Sequence, residues 1–321
     1  MNIRLNQLFN ILKIVLLLVI IGVLASYWFF VSSQENKVLD NNVRKNVYGE
    51  NVHLKEGWTH FKRTKEKNND LVVLIHGGGV TGIHVWEETM KAINKANYNY
   101  LAYDLYGRGY SDRPKVAYTP DLMLHQLEQL LDTLHVERKF DIVALSLGAM
   151  VAVDFANKYP ERVKKIVFID PMLQGTYRPN FLLKIPLLSD YIMTAYWYPR
   201  AVENQRKEFA NMLLFEEYAT KLRYFMDFKG YKYVNYSTWM NTLQHNYMPA
   251  FKKLGEKNID LLLVYGNRDP YFPHHSFELF LEAVPQIDYF EVDQTGHMPH
   301  YEKPKIVNKE IINFIKSDKI E

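Results

Sequence analysis

FDIVALSLGAMVAVDFA, residues 140–156, joins an apolar run to a serine and then to a stretch of small and apolar residues. A continuous run such as Asp141–Leu145 suits a β-strand covered on both faces. The stretch Leu147–Lys158 reads as a helix. Ser146 then occupies a tight strand-to-helix turn above the strand end, with its oxygen exposed. The N–H of Leu147 faces any oxyanion formed on a ligand there. Small residues two before and two after the serine, Ala144 and Gly148, keep such a turn free of clashes.

Outward from this unit the pattern repeats. Further buried strands are predicted at Leu71–Ile75, Tyr100–Asp104, Lys165–Asp170, Asp260–Tyr265 and Asp288–Val292. Helices are predicted at Val85–Ala96, Pro120–Leu134, Ser276–Val284 and Lys305–Ser317. Regular strand–helix alternation is the signature of an α/β doubly wound, mostly parallel sheet. Two short antiparallel strands are expected between Asn46 and Lys65.

The 321 residues carry 39 Lys and Arg against 36 Asp and Glu, a net charge of +3 that gives no reason to expect a nucleic-acid partner. The chain has no cysteine, which removes disulfides, thiolate metal sites and a cysteine nucleophile. His274, His275 and His300 have no carboxylate or cysteine at ligand spacing, so no metal site is expected. No organic cofactor is expected either.

The amino terminus differs from the rest. Ile14–Val31 is 18 residues without a charge. As a helix it is about 27 Å long, close to the hydrocarbon thickness of a bilayer. Residues 1–31 are therefore expected to be a short tail and a single transmembrane anchor, with the remainder preferred on the outer side. The competing reading is a signal peptide cleaved after Val23-Leu24-Ala25, which would release the protein. The apolar run continues past that site through Trp28, Phe29 and Phe30, which favours the anchor. Residues 32–45 are polar and read as a linker.

Residues 46–171 form the first part of the expected core and 259–321 the second. Between them, 172–258 breaks the alternation. It holds 18 Phe, Tyr and Trp, and 12 Lys and Arg against 7 Asp and Glu, so it carries +5. That composition reads as an inserted helical cap over an apolar pocket.

Three residues have the chemistry for nucleophilic catalysis. LLLVYGNRDPYFP (261–273) leaves Asp269 in a turn after a strand, and FEVDQTGHMPHYEKP (290–304) leaves His297 in a loop after the next. Ser146, Asp269 and His297 thus stand at the carboxyl ends of strands in one sheet, the edge where open α/β sheets bind ligands. LVVLIHGGGVTG (71–82) adds a glycine-rich loop whose free N–H groups suit a phosphate cradle or the second donor of an oxyanion hole.

HGGG (76–79), DLYGRGYSDRP (104–114), ALSLGA (144–149), GNRDP (266–270) and GHMPHYEKP (296–304) resemble, in order and spacing, the alpha/beta-hydrolase superfamily. The resemblance runs from about Asn46 to Ser317, with the cap where these proteins carry a lid. It is to the serine esterase, monoacylglycerol lipase and C–C bond hydrolase branches, because the elbow residue is Ser146 rather than an aspartate. Ala144 replaces the usual first glycine of the elbow. The resemblance implies Ser146 as nucleophile, His297 as base, Asp269 as its acid and the amides of Gly78 and Leu147 as the oxyanion hole. Asp170, at the end of the preceding strand, is the alternative acid. Asp104, Arg108, Asp112 and Arg113 are expected to be structural ion pairs, and His76 a support for the glycine loop.

Serine hydrolysis of an ester is the implied activity. The anchor and the basic, aromatic cap point to a membrane lipid or other apolar ester, of the monoacylglycerol or lysolipid type. C–C bond cleavage, aminopeptidase activity and a non-catalytic ligand-sensing role on the same fold are the alternatives.

Overall fold

Eight strands form one sheet in the order β1-β2-β4-β3-β5-β6-β7-β8. They are β1 (Glu50–Leu54), β2 (Gly57–Arg63), β3 (Leu71–Ile75), β4 (Asn99–Tyr103), β5 (Phe140–Leu145), β6 (Val163–Ile169), β7 (Asp260–Gly266) and β8 (Asp288–Val292). β1 and β2 pair antiparallel, and β2 joins β4 antiparallel. Every pairing from β4 to β8 is parallel. The computed structural model describes residues 2–65, 70–173, 175 and 178–317.

The central strands are apolar because both faces are covered. All five residues of β3 and all six of β5 are buried. Helices Pro120–Thr133 and Leu147–Lys158 pack on one face, and helices Glu87–Lys95 and Pro304–Lys316 on the other. The ends are set by local chemistry. Thr119 accepts the N–H of Leu122 and Pro120 opens the helix that follows, a strong start signal. Asn211 likewise accepts from Leu213 and Leu214 to begin the helix Met212–Met226.

Between β6 and β7 the chain is helical. It includes Pro186–Tyr191, a wide turn at Ile192–Trp197, Met212–Met226, Tyr231–Asn241 and Met248–Gly255. Ile192–Trp197, Met212–Met226 and Tyr231–Asn241 bring residues to the cavity at the carboxyl ends of the strands, whereas Met248–Gly255 packs against the helix Leu147–Lys158. At the amino terminus α1 (Asn2–Ser32) is a single helix, with a mean hydropathy of 2.8 over its most apolar 18 residues.

The segment 32–45 is less free than a polar linker. Lys37 makes a backbone bridge to Phe228, Asn41–Lys45 is a short helix capped by Asp40, and Arg44 is buried. The Arg44 guanidinium donates to the carbonyl of Tyr110 and to Asp112. Its polarity in the sequence reflects partners on the folded body rather than exposure to water.

Candidate active site

The loops that follow β3, β5, β7 and β8 converge on one cavity of about 820 Å³. Its lining includes Gly78, Ser146, Leu147 and His297. Ser146 has a backbone φ of +50°, the left-handed region, and its N–H donates to the carbonyl of Ile169. That strain lifts the side chain off the strand line. The turn closes only because the neighbouring residue positions are small. A β-carbon on Gly148 would stand 2.5 Å from the carbonyl oxygen of Ile75, so the helix Leu147–Lys158 rests directly on the β3 backbone. Alanine at 144 is compatible with this turn. Leu147 opens that helix, so its N–H lacks an intrahelical acceptor.

His297 and Asp269 meet directly. His297 Nδ1 and Asp269 Oδ2 are 2.7 Å apart, both buried. Asp269 also accepts the N–H of Tyr271 at 2.8 Å, which fixes its turn. Burial disfavours charge on His297, but the Asp269 carboxylate and then Glu208 outweigh it and hold the imidazole above the usual histidine range. Burial also opposes ionisation of Asp269, and the charge of His297 reverses this, leaving its carboxyl below the usual range.

Asp170 follows β6, is fully buried and has φ +40°. One of its carboxylate oxygens lies within 4.8 Å of a carboxylate oxygen of Asp269 and of a ring nitrogen of His297. It accepts the N–H of Gly266 at 3.1 Å. Burial, then the charge of Asp269, push its carboxyl well above the usual range, so it is the protonated member of the pair.

The glycine loop is braced from behind. Leu105 N–H donates to His76 Nε2 at 3.0 Å, leaving Nδ1 to donate to the carbonyl of Gly77 at 2.7 Å. Burial pushes His76 down to about 4, so it is a neutral strut.

Of the expected structural ion pairs at Asp104, Arg108, Asp112 and Arg113, one forms, between Asp112 and Arg44, and the four residues do not pair with one another. Asp104 holds His60 and the amides of Ile83 and Tyr110. Asp112 takes Arg44, and Arg113 donates to the carbonyls of Phe225 and Phe228. Arg108 donates to the carbonyl of Tyr106 and the hydroxyl of Thr238, at the cavity wall. Proximity in the sequence is not decisive here, because a buried carboxylate in a tight loop is best satisfied by backbone N–H groups.

Two neighbours of His297 carry no signal in the sequence. The cap residue Glu208 accepts the N–H of His297 through its main-chain carbonyl at 2.8 Å, and its side chain lines the cavity. Burial first, then the charge of Asp269, push its carboxyl up to about 7 against the opposing pull of His297. Glu302 accepts the N–H groups of Gly296, Ala210 and Asn211, clamping the His297 loop to the cap. Glu302 stands in the quoted motif, yet two of its three partners, Ala210 and Asn211, lie some ninety residues away.

Residues 70–304 match the family described as the alpha/beta hydrolase fold. The chain belongs to the alpha/beta hydrolase family. It is similar to a 2-hydroxy-6-oxononadienedioate/2-hydroxy-6-oxononatrienedioate hydrolase of Burkholderia vietnamiensis, at 25% identity over 77% of this chain and 88% of that protein. It is also similar to Lipase 3 of a Moraxella species, at 23% identity over 73% of each. Among solved structures, the enol-lactonase of Burkholderia xenovorans superposes with a TM-score of 0.70, at 17% identity over 84% of this chain and all of that one. That last likeness is one of fold.

Proposed function

We propose that this alpha/beta hydrolase is a serine hydrolase of carboxylic esters, and that its substrates are apolar or lipid-derived, of the monoacylglycerol or lysolipid type. The observation that carries the reading is the 2.7 Å contact between His297 and Asp269 beside Ser146 in one cavity. Serine is a weak nucleophile at neutral pH and needs a base. His297 takes the Ser146 proton as Oγ attacks the ester carbonyl, and then returns it to the leaving alcohol. Asp269 orients the imidazole and stabilises its charged form. The amides of Gly78 and Leu147 receive the oxyanion; one such donor is worth about 2.7–4 kcal/mol of barrier. Water, activated by His297, hydrolyses the acyl-enzyme.

Trp197, Trp239, Leu173 and Leu243 give the cavity an apolar wall suited to an acyl chain. The exposed, apolar α1 supports single-pass anchoring in the cell membrane, with the hydrolase body on the outer side.

A second reading, C–C bond hydrolysis with the same residues, draws on the Burkholderia relative. It is favoured by one feature, a buried arginine (Arg108) at the cavity whose acceptors Tyr106 and Thr238 are neutral. Such a guanidinium suits an acidic substrate. The test uses the full-length protein in detergent with p-nitrophenyl esters of increasing chain length, beside Ser146→Ala. Hydrolysis that rises with chain length and vanishes in the variant supports the ester reading. A folded protein inactive on every ester refutes it and turns attention to C–C cleavage.

A further inference from the structure

We propose that Phe181, Ile185 and Leu187, beside the end of α1, form an edge that sits in the interfacial layer of a lipid bilayer and opens the cavity toward it. The proposal rests on the reading of α1 as a membrane anchor.

The starting point is where α1 first meets the body. Residues 6–25 are exposed throughout. Contact begins at Ser26, whose hydroxyl is 3.0 Å from that of Tyr191, and at Tyr27, whose hydroxyl donates to Asp190. It continues at Gln34, whose amide donates to the carbonyl of Thr194 at 2.9 Å. The free apolar stretch Ile14–Ala25 is about 18 Å long as a helix, and a bilayer's hydrocarbon core is about 30 Å thick. Lys13 limits extension at the other end, because its ammonium has to reach water. The remaining thickness is therefore spanned by residues 26–31, and the cap elements fastened to them lie at the same depth.

The cap surface at that level is apolar. Leu187 is 88% exposed. It precedes Tyr191 by four residues and Asp190 by three in the helix Pro186–Tyr191, so it shares the face that touches α1. Phe181 is 70% exposed and Ile185 46%. Trp28 and Phe29 on α1 itself are 72% and 69% exposed. The exposed Lys184 stands among them at headgroup level, the usual companion of apolar side chains in an interfacial segment. This edge lies in the chain between Arg178 and Trp197, both of which line the cavity. A lipid leaving the bilayer here meets the cavity wall without crossing bulk water.

The absence of cysteine makes the test clean. Single cysteines (Phe181→Cys, Leu187→Cys, Ile21→Cys and Glu137→Cys) are introduced into the full-length protein and labelled with an environment-sensitive fluorophore. The proteins are reconstituted in phosphatidylcholine–phosphatidylglycerol vesicles containing lipids spin-labelled high or low on the acyl chain. Labels at 181 and 187 should be quenched best by the high spin label, the label at 21, near the middle of the span, by the low one, and the label at 137 by neither. Aqueous labels at 181 and 187 with a deep label at 21 overturn the edge and leave the anchor standing. An aqueous label at 21 overturns both. A second measurement needs no probe. Leu187→Glu should lower hydrolysis of vesicle-borne monoacylglycerol about tenfold, while a short soluble ester changes less than about twofold. Equal losses on both substrates overturn the proposal. Inactivity of the unsubstituted protein on both esters refutes the esterase reading alone, since the quenching depths do not depend on turnover.

Discussion

Asp170 and Asp269 approach the same imidazole from neighbouring strands, and Asp269 is the one hydrogen-bonded to His297, at 2.7 Å. Asp170 instead accepts from Gly266 and retains its proton, while Asp269 is ionised. The two carboxyls therefore have different duties. Asp269→Asn should lower kcat/KM by about 10³–10⁴, because the amide presents the wrong partner to Nδ1. Asp170→Asn keeps a neutral, hydrogen-bonding group of the same shape and should stay within about tenfold of the unsubstituted protein. Steady-state ester kinetics on the two variants decide this; the reverse ranking makes Asp170 the acid.

Ser146→Ala should reduce kcat by about 10⁵–10⁶ if the elbow serine is the nucleophile. The main chain at 146 has φ +50° for either residue, and Gly148 still admits the β3 carbonyls. The melting temperature should therefore change by no more than about 3 °C. A thermal melt beside the ester assay separates lost chemistry from lost fold.

The pH profile should report the charges around His297. Catalysis needs the neutral imidazole, and Asp269 and Glu208 hold its pKa above the ordinary histidine value. Activity should then fall on the acid side at a pH above about 6.5. Glu208, pushed up to about 7, is only partly ionised across this limb, so Glu208→Gln removes part of a negative charge and should move the limb to lower pH by a fraction of a unit. The linked stability has the opposite sense. The contribution from charged His297 is fully present below the unfolded histidine pKa and is lost as pH rises through the raised folded value. A Glu208→Gln profile superimposable on that of the unsubstituted protein would remove Glu208 from this account.

Two glycines near Ser146 should respond differently to alanine. At 148 the new methyl would overlap the carbonyl oxygens of Ile75 and His76, at 2.5 and 2.6 Å. A clash with two backbone oxygens should cost about 1–3 kcal/mol and lower the melting temperature by several degrees. At 78 the nearest neighbour is Leu147 Cδ1 at 3.7 Å, so Gly78→Ala should melt as the unsubstituted protein does. Differential scanning fluorimetry of the pair is sufficient.

The sheet could be read in the sequence because parallel strands buried on both faces are written as unbroken apolar runs. Leu71–Ile75 and Asp288–Val292 are strands over those residues, and the helix after Ser146 spans Leu147–Lys158. Elsewhere the ends move by at most two residues, where caps and short 3₁₀ turns replace periodicity. At Val85–Ala96 the first part is a 3₁₀ turn and the α-helix starts at Glu87. Ser146, Asp269 and His297 were legible because each follows a strand. Glu208 was not, since its importance comes from a main-chain contact with a loop about ninety residues away. The charged loop 104–114 misled for the same reason. Asp112 finds Arg44, and Arg108 finds Thr238, and no local spacing encodes either choice.

The docked segment after α1 also dictates where the chain can be shortened. Lys232 places its ammonium 3.2 Å from Gln34 Oε1 and 3.1 Å from Thr194 Oγ1, and its N–H donates to Glu35. A soluble fragment begun at Asn46, the apparent start of the body, would strip these partners from the cap and remove Arg44 from Asp112. The usable boundary lies ahead of Gln34, at Ser32 or Ser33, where the greasy helix ends; such a fragment gives up the contacts of Ser26 and Tyr27 but keeps the fastening from Gln34 onward.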